Sequence, residues 1–448
     1  MTRKRPAQVD PLEREIELAL KPGKFISDHA CFAFTDELDE VVVEIGKQMN
    51  TDPVRAASLY ETFIAGCYEK AEEVDDSSGS FGQSVGRLCC GWAAARQASG
   101  ADPQETASRL LGWMDDDPYG FCHRLERDLA RVLDKPGLAA FVKLVRTRFD
   151  GVQHMTTKTD GPYHDSPDYI RRHCGDVLRT LYAAQKDVTG YIALARETGL
   201  SAPDCHAIGQ LLAARRRFAD ALDWVEQGID LGKQAPHATM ATHDLAKLKR
   251  EILIKLGRGN EALKAAWADY RKDPSKCTYD DLMKFVPKAE RRAWHEKAID
   301  TAQTADLDSR IELLLETKEL TQLAELLRQT KDAALEALSH YTTEPVAKKL
   351  EKSHPDLAAR LWRAQGMRII NGGKSKYYEA ALVNFERAKR CFERAGLYSE
   401  WEQLVSHVRL QHRRKIAFIS GFERLVAGTG PSDEPSFLER AKARWSSD

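Results

Sequence analysis

Apolar residues recur along this chain every three to four positions, and no stretch alternates with period two for long enough to make a sheet strand. The pattern therefore predicts an all-α protein. Over Asp36–Met49 the stripe is Leu38, Val41, Val42, Ile45 and Met49. The next helix opens at Asp52-Pro53, a capping residue followed by proline at the first helical position, where its missing N–H costs nothing. It continues through Ala57, Tyr60, Phe63, Ile64, Cys67, Tyr68 and Ala71 until the polar run Glu72–Ser80 stops it. Gln83–Gln97 carries Leu88, Cys89, Trp92 and Ala95. Asp102-Pro103 repeats the start signal, with Glu105 placed for a capping box, and the turn-rich Met114–Gly120 closes that helix. Phe121–Leu133 and Gly137–Phe149 make a further pair around Lys135-Pro136-Gly137. Met1–Lys24 reads as a charged arm holding one short helix, and Phe25–Phe34 has no assignable period.

Gly151–Pro167 loses the period and gains Thr, Asp, Gly and Pro, which marks a linker. The expected organisation is an arm over 1–24, a bundle-like helical domain over 25–150, the linker over 151–167, a repeat domain over 168–428 and a disordered tail over 429–448. From Asp168 onward helix pair follows helix pair. In Cys205–Leu231 the small and apolar residues Gly209, Leu212, Ala221, Val225 and Gly228 fall on the positions of a tetratricopeptide-type unit. Small residues are needed there because a larger side chain would hold the two helix axes apart. The phase returns at Leu253, Gly257, Ala262, Ala266 and Pro274, weakly over Arg310–Gln329, and again at Ala381, Phe385 and Ala388. The spacing is irregular, so the fold expected is a degenerate TPR-like α-solenoid. A final long helix, Glu400–Val426, is expected to cap it.

Composition narrows the function classes. The 448 residues are 42% hydrophobic and 30% charged, with formal net charge −1, so no global field points to nucleic acid or membrane. The charge is unevenly distributed. Glu40–Ala130 holds 16 acidic and 8 basic residues, whereas Arg360–Arg424 holds 14 basic and 6 acidic. No window of 18 uninterrupted apolar residues exists, and the N-terminus lacks an apolar signal core. Nine scattered cysteines without a C-x-x-C read as reduced thiols, so the expected compartment is the cytoplasm, with no cofactor, no metal site and no membrane association.

Two charge clusters are candidate sites. The basic one is Arg387, Lys389, Arg390 and Arg394, joined by Arg409, Arg413, Arg414 and Lys415. It could hold nucleic-acid phosphates or an acidic partner, although no aromatic residues interleave as a base-stacking platform. The acidic one is Asp75 and Asp76 with Asp115, Asp116 and Asp117, a site for a cation or basic partner if the two runs converge. A solvated or internally paired face is the simpler explanation of either cluster, and self-association through the two halves is a variant.

Catalytic motifs fail on their spacing. Cys89-Cys90, Cys122-His123, His173-Cys174 and Cys205-His206 are adjacent pairs, whose side chains diverge by about 100° on a helix instead of sharing a face. Gly82-Gln83-Ser84-Val85-Gly86 matches a nucleophile elbow, but no buried strand precedes it. Gly372-Gly373-Lys374-Ser375 echoes a phosphate loop, but Arg368 stands where its first glycine belongs.

The phrases LGRGNEALKAAW, DPSKCTYDDL, KSKYYEAALVNFERAKRCFERAGLYSEWEQLVSHVRLQHRRK, EKAEEVDDSSGSFG and WMDDDPYG resemble a bacterial family of unknown function, all-helical and TPR-like. A similar helical region follows the zinc finger of bacterial SWIM proteins, but the finger's C-x-C is absent here. The resemblance spans roughly Phe25 to Gly428 and implies a fold without a transferable activity. The sequence therefore reads first as a non-catalytic scaffold that binds a protein partner in a helical groove. A nucleic-acid-associated protein is the second reading. An enzyme whose site is built from scattered residues is the third, and it would need a concave pocket with converging side chains.

Overall fold

The computed structural model describes residues 10–152, 166–234 and 240–428. The described residues form 23 α-helices and no strand, with one isolated bridge, Ile26 to Val74. None of these helices is long and apolar enough to cross a membrane. Two compact units divide the chain, Met1–Leu256 and Gly257–Asp448.

The first unit contains α1 (Pro11–Ala19), α2 (Asp28–Gln48), α3 (Pro53–Lys70), α4 (Ser80–Ala98), α5 (Pro103–Asp115) and α6 (Leu125–Val132). It continues with α7 (Lys135–Gly151), α8 (Pro167–Gln185), α9 (Val188–Thr198), α10 (Ala202–Ala214), α11 (Phe218–Gln234) and α12 (Met240–Lys255). The start signal at Asp52 acts as read, and two starts not read from the sequence act alike. Asp52 accepts the Arg55 N–H at 2.9 Å, Asp134 the Gly137 N–H at 2.8 Å, and Ser201 forms a capping box with Asp204. Asp102 caps α5 as well, but Glu105 reaches Arg96 at 2.8 Å and closes no box. The stretch without period, Phe25–Phe34, contains the bridge at Ile26 and then the start of α2, which buries Cys31 and Phe34. The arm is anchored, since Arg55 pairs with Asp10 at 2.9 Å and Glu13 at 2.5 Å while Ile16 is buried.

Fully buried Phe63, Phe81, Trp92, Phe141 and Phe149 form the centre of this unit, each worth about 1.5–3 kcal/mol of burial. α8 packs on α6 and α7, so α8 and the pairs after it share a compact unit with α1–α7. Of the linker expected over 151–167, residues 153–165 lie outside the described residues, as do 1–9 of the arm and the tail 429–448. The division between units falls inside the second repeat phase, between Leu256 and Gly257.

Small residues let the hairpin α10–α11 close. A Cβ on Gly209 would stand 2.7 Å from Val225 Cγ2, and one on Gly228 would stand 2.6 Å from Cys205 Cβ and 2.9 Å from Leu245 Cδ1. α12 packs on both α10 and α11, the neighbour-and-next pattern of a stacked array.

The second unit contains α13 (Gly259–Lys272), α14 (Lys276–Phe285), α15 (Arg291–Thr301), α16 (Leu307–Glu316), α17 (Leu320–Gln329) and α18 (Asp332–Ala337). It ends with α19 (His340–Leu350), α20 (Pro355–Gly372), α21 (Tyr378–Ala395), α22 (Tyr398–His412) and α23 (Ile416–Ala427). Its core runs from Tyr270 and Leu282 through Trp362 to Phe385, Phe418 and Phe422. The single long helix expected over Glu400–Val426 is two helices, broken at Arg413–Lys415. In one straight helix Phe418 would sit about 70° from the centre of the face carrying Trp401, Leu404 and Val408. The break lets α22 and α23 both pack on α21, with Phe418 and Phe422 wholly buried.

Candidate functional site

The basic cluster is distributed over α21, α22 and the turn after α22, and most of its charge is used inside its own unit. Arg387 lies over the Trp362 ring at 4.5 Å, with Glu344 3.9 Å away. Lys389 donates to the carbonyls of Leu425 at 3.1 Å and Val426 at 3.3 Å, at the C-terminus of α23. Arg394 donates to the Glu351 carbonyl at 2.9 Å, just past α19, and Lys415 to the Ile370 carbonyl in the last turn of α20. These three cations satisfy helix-end carbonyls and meet the negative end of each dipole. Arg409 is held by Glu423 through a two-bond fork at 2.8 and 2.6 Å. Arg390, Arg413 and Arg414 are exposed and make no ion pair with a described residue.

The acidic runs meet at one corner of the first unit, around Tyr68, Phe81, Tyr119 and Phe121. Tyr68 and Phe121 are 5.1 Å apart by ring centres, and Phe81 and Phe121 5.3 Å. Two of the five carboxylates, Asp76 and Asp117, are committed to backbone amides. Asp76 accepts the N–H groups of Phe81 and Gly82, both at 2.8 Å, at the start of α4. Asp117 accepts those of Phe121 at 3.0 Å and Cys122 at 2.6 Å, and the Tyr68 hydroxyl at 3.0 Å. Burial, Cys122 and Asp117 all push the Tyr68 phenol up, so it stays the donor in that bond. Asp75 binds Ser77, and this holds its carboxyl below the usual range. Asp115 pairs with Arg148, and Asp116 is exposed at the end of α5. Beside this corner runs a groove of about 980 Å³ lined by Gly82, Gly86 and Cys90 of α4, by Phe121 and His123, and by Arg131.

The motif fragments resolve into scaffold. Ser84 lies inside α4, 1% exposed, and accepts from Arg87 at 2.7 Å, so no elbow presents it. Gly373 ends α20 with φ of 69°, the left-handed conformation that glycine takes without strain. Cys89, Cys122, Cys174 and Cys205 are buried, and no three His, Cys, Asp or Glu side chains among the described residues could hold a metal ion.

Two features of the second unit escaped the sequence. A groove of about 490 Å³ lies between α15, α16 and α17, with Ile299, Ala302 and Leu314 on its floor and Gln303, Arg310 and Gln322 among its polar walls. Glu325 is engaged there by Gln329 at 2.7 Å, whereas Arg310 makes no ion pair with a described residue. Separately, α14, α15 and the α16–α17 turn bring Tyr279, His295 and Glu319 into one hydrogen-bonded line beside a pocket of about 320 Å³. Positions 279, 295 and 319 share no spacing motif, so only the packing of three elements could reveal them.

The profile of a family of unknown function, DUF6880, matches residues 22–420. No curated protein matches the chain. Among solved structures it is similar to the "Structure of Naa15/Naa10 bound to HypK-THB" at 15% identity, covering 96% of this chain and 69% of that one. The TM-score is 0.33, too loose a likeness to bear on function.

Proposed function

The chain belongs to the DUF6880 family, and we propose that it is an interaction scaffold that holds a segment of a protein partner against its second unit. The observation that carries this reading is the groove between α15, α16 and α17. It offers an apolar floor, amide walls suited to an extended backbone, and the Arg310 guanidinium with no ion pair to a described residue. A partner strand bearing a carboxylate fits that chemistry. Successive helices that pack on their neighbours create such grooves as a consequence of stacking.

A photocrosslinking residue placed at Gln322 is expected to capture a discrete partner in cells, while the same residue at exposed Lys374 captures none. Arg310→Glu is expected to abolish the product. Equal capture from both positions, or capture indifferent to Arg310→Glu, would refute the reading. A nucleic-acid role would rest on Arg390, Arg413 and Arg414, since the other five basic candidates are engaged within the unit. About three phosphate contacts would support only weak binding with a shallow salt dependence.

A further inference from the structure

We propose that Tyr279 is a nucleophile, with His295 as its general base and Glu319 as the residue that positions the base, and that the adjoining pocket takes a small neutral or cationic acyl ester. Tyr279 Oη lies 2.7 Å from His295 Nδ1, and His295 Nε2 lies 3.0 Å from Glu319 Oε1. The carboxylate can only accept, so Nε2 carries a proton, and in the neutral form of the ring Nδ1 is the acceptor. The phenol therefore donates to Nδ1, the arrangement in which a base accepts a nucleophile's proton while a third group fixes its tautomer.

Three separate backbone segments converge to make this line. Tyr279 projects from α14, His295 from the first turns of α15, and Glu319 from the cap of α17 after Lys318, whose φ is +64°. His295 and Glu319 are half-buried, at 24% and 33% exposure, which shields the relay while leaving the Tyr279 end open to the pocket. Burial, with Asp280 and Glu319 nearby, pushes the Tyr279 phenol up against the opposing effect of Arg291. Free phenolate is thus scarce, and reactivity has to run through proton transfer to His295.

The charged groups around the pocket set the substrate class. Lys276 is the one lysine or arginine among the described residues of its wall, and Asp280 holds it at 2.8 Å. Asp280 and Glu316 also line the pocket, so a phosphoryl or carboxylate-bearing electrophile would meet two negative groups. A volume of about 320 Å³ admits a compact acyl group. In the step itself the phenolic proton passes to Nδ1 and the Tyr279 oxygen bonds to the acyl carbon. The ester C–O bond breaks, and the leaving oxygen takes the proton from Nδ1. Water then attacks the acyl-tyrosine by the same relay, releasing the acid and restoring the phenol.

The test uses the full chain, 4-nitrophenyl acetate and an aryl sulfonyl fluoride, with modified peptides located by mass spectrometry. The expected result is a nitrophenolate burst of about one equivalent with an acetyl mass on the Tyr279 peptide. Sulfonylation of Tyr279 is expected to outpace that of Tyr341 and Tyr398, which are 80% and 62% exposed. His295→Ala should slow both reactions by roughly a hundredfold. Glu319→Gln should displace the inflection of the pH–rate profile, and Glu319→Asp should partly restore it. Tyr279→Phe should lose the burst while keeping a single cooperative unfolding transition, which separates lost chemistry from lost fold. Tyr279 reacting no faster than Tyr341, or at the same rate in His295→Ala, would overturn the proposal.

Discussion

Replacing Gly228 by alanine should destabilise the first unit, although the same exchange favours an isolated helix. The new Cβ would lie 2.6 Å from Cys205 Cβ and 2.9 and 3.0 Å from the two methyl carbons of Leu245. Leu245 can rotate, but Cys205 Cβ is fixed to the backbone of α10. Reaching an ordinary carbon–carbon separation of about 3.5–4 Å therefore requires α10 and α11 to separate by about 1 Å. Overpacking costs about 1–3 kcal/mol, and a contact with a carbon fixed to the backbone belongs in the upper part of that range, about 2–3 kcal/mol; the better helix propensity of alanine returns about 1 kcal/mol, leaving a net loss of roughly 1–2 kcal/mol. Gly112 is the control. It sits in α5 with no atom within 4 Å of the place a Cβ would take, so Gly112→Ala should gain about 0.5–1 kcal/mol. Urea unfolding followed by circular dichroism gives the midpoints, and hydrogen exchange should place the Gly228→Ala loss in α10–α12. Cys205→Gly should recover part of it, whereas Cys205→Ala, which keeps the offending carbon, should not. A Gly228→Ala chain as stable as the parent would refute the hairpin geometry.

Asp117→Asn should cost about 2–3 kcal/mol in urea titrations, because an amide N–H2 would face a backbone donor and one charge-assisted bond to Phe121, Cys122 or Tyr68 would be lost. His412 is 7% exposed, and burial, with Lys415 and His407 nearby, holds its pKa below 6.5. The unfolded chain therefore binds more protons just below that value, so stability should fall as pH drops below 6.5. His412→Gln should flatten this dependence between about pH 5 and 7, and an identical slope in the variant would contradict the assignment. Cys277 is the exposed cysteine of the nine, and burial pushes the half-buried Cys90 thiol up to about 12. Ellman titration of the native chain should thus find one fast thiol, absent in Cys277→Ser, and nine after denaturation.

Much of the helical layout was legible because its causes are local. Asp52-Pro53 and Asp102-Pro103 carry their capping chemistry within four residues, and the structure uses each as a start. Gly209 and Gly228 were legible for a related reason: the closeness of paired helices excludes a side chain at fixed phase. The break at Arg413–Lys415 was hidden because both halves, Trp401–Val408 and Phe418–Phe422, are good helix sequence. Only the requirement that both faces meet α21 turns the chain there. The charge clusters were legible as composition and not as sites. Whether Lys389 faces solvent or the carbonyls ending α23 depends on where another helix stops, 36 residues later in the chain.

Helicity, the starts of many helices and the small residues that let one hairpin close are all written in local chemistry along the chain. Periodicity, capping and steric exclusion act over a few residues, so no knowledge of distant contacts is needed to read them. The uses of the charged and reactive side chains were settled only by packing. It engaged five of eight basic candidates inside the second unit, tied Asp76 and Asp117 to backbone amides, and aligned Tyr279, His295 and Glu319 from three elements. A charge or a phenol acquires its role from neighbours far away in sequence, and the folded arrangement is what supplies those neighbours.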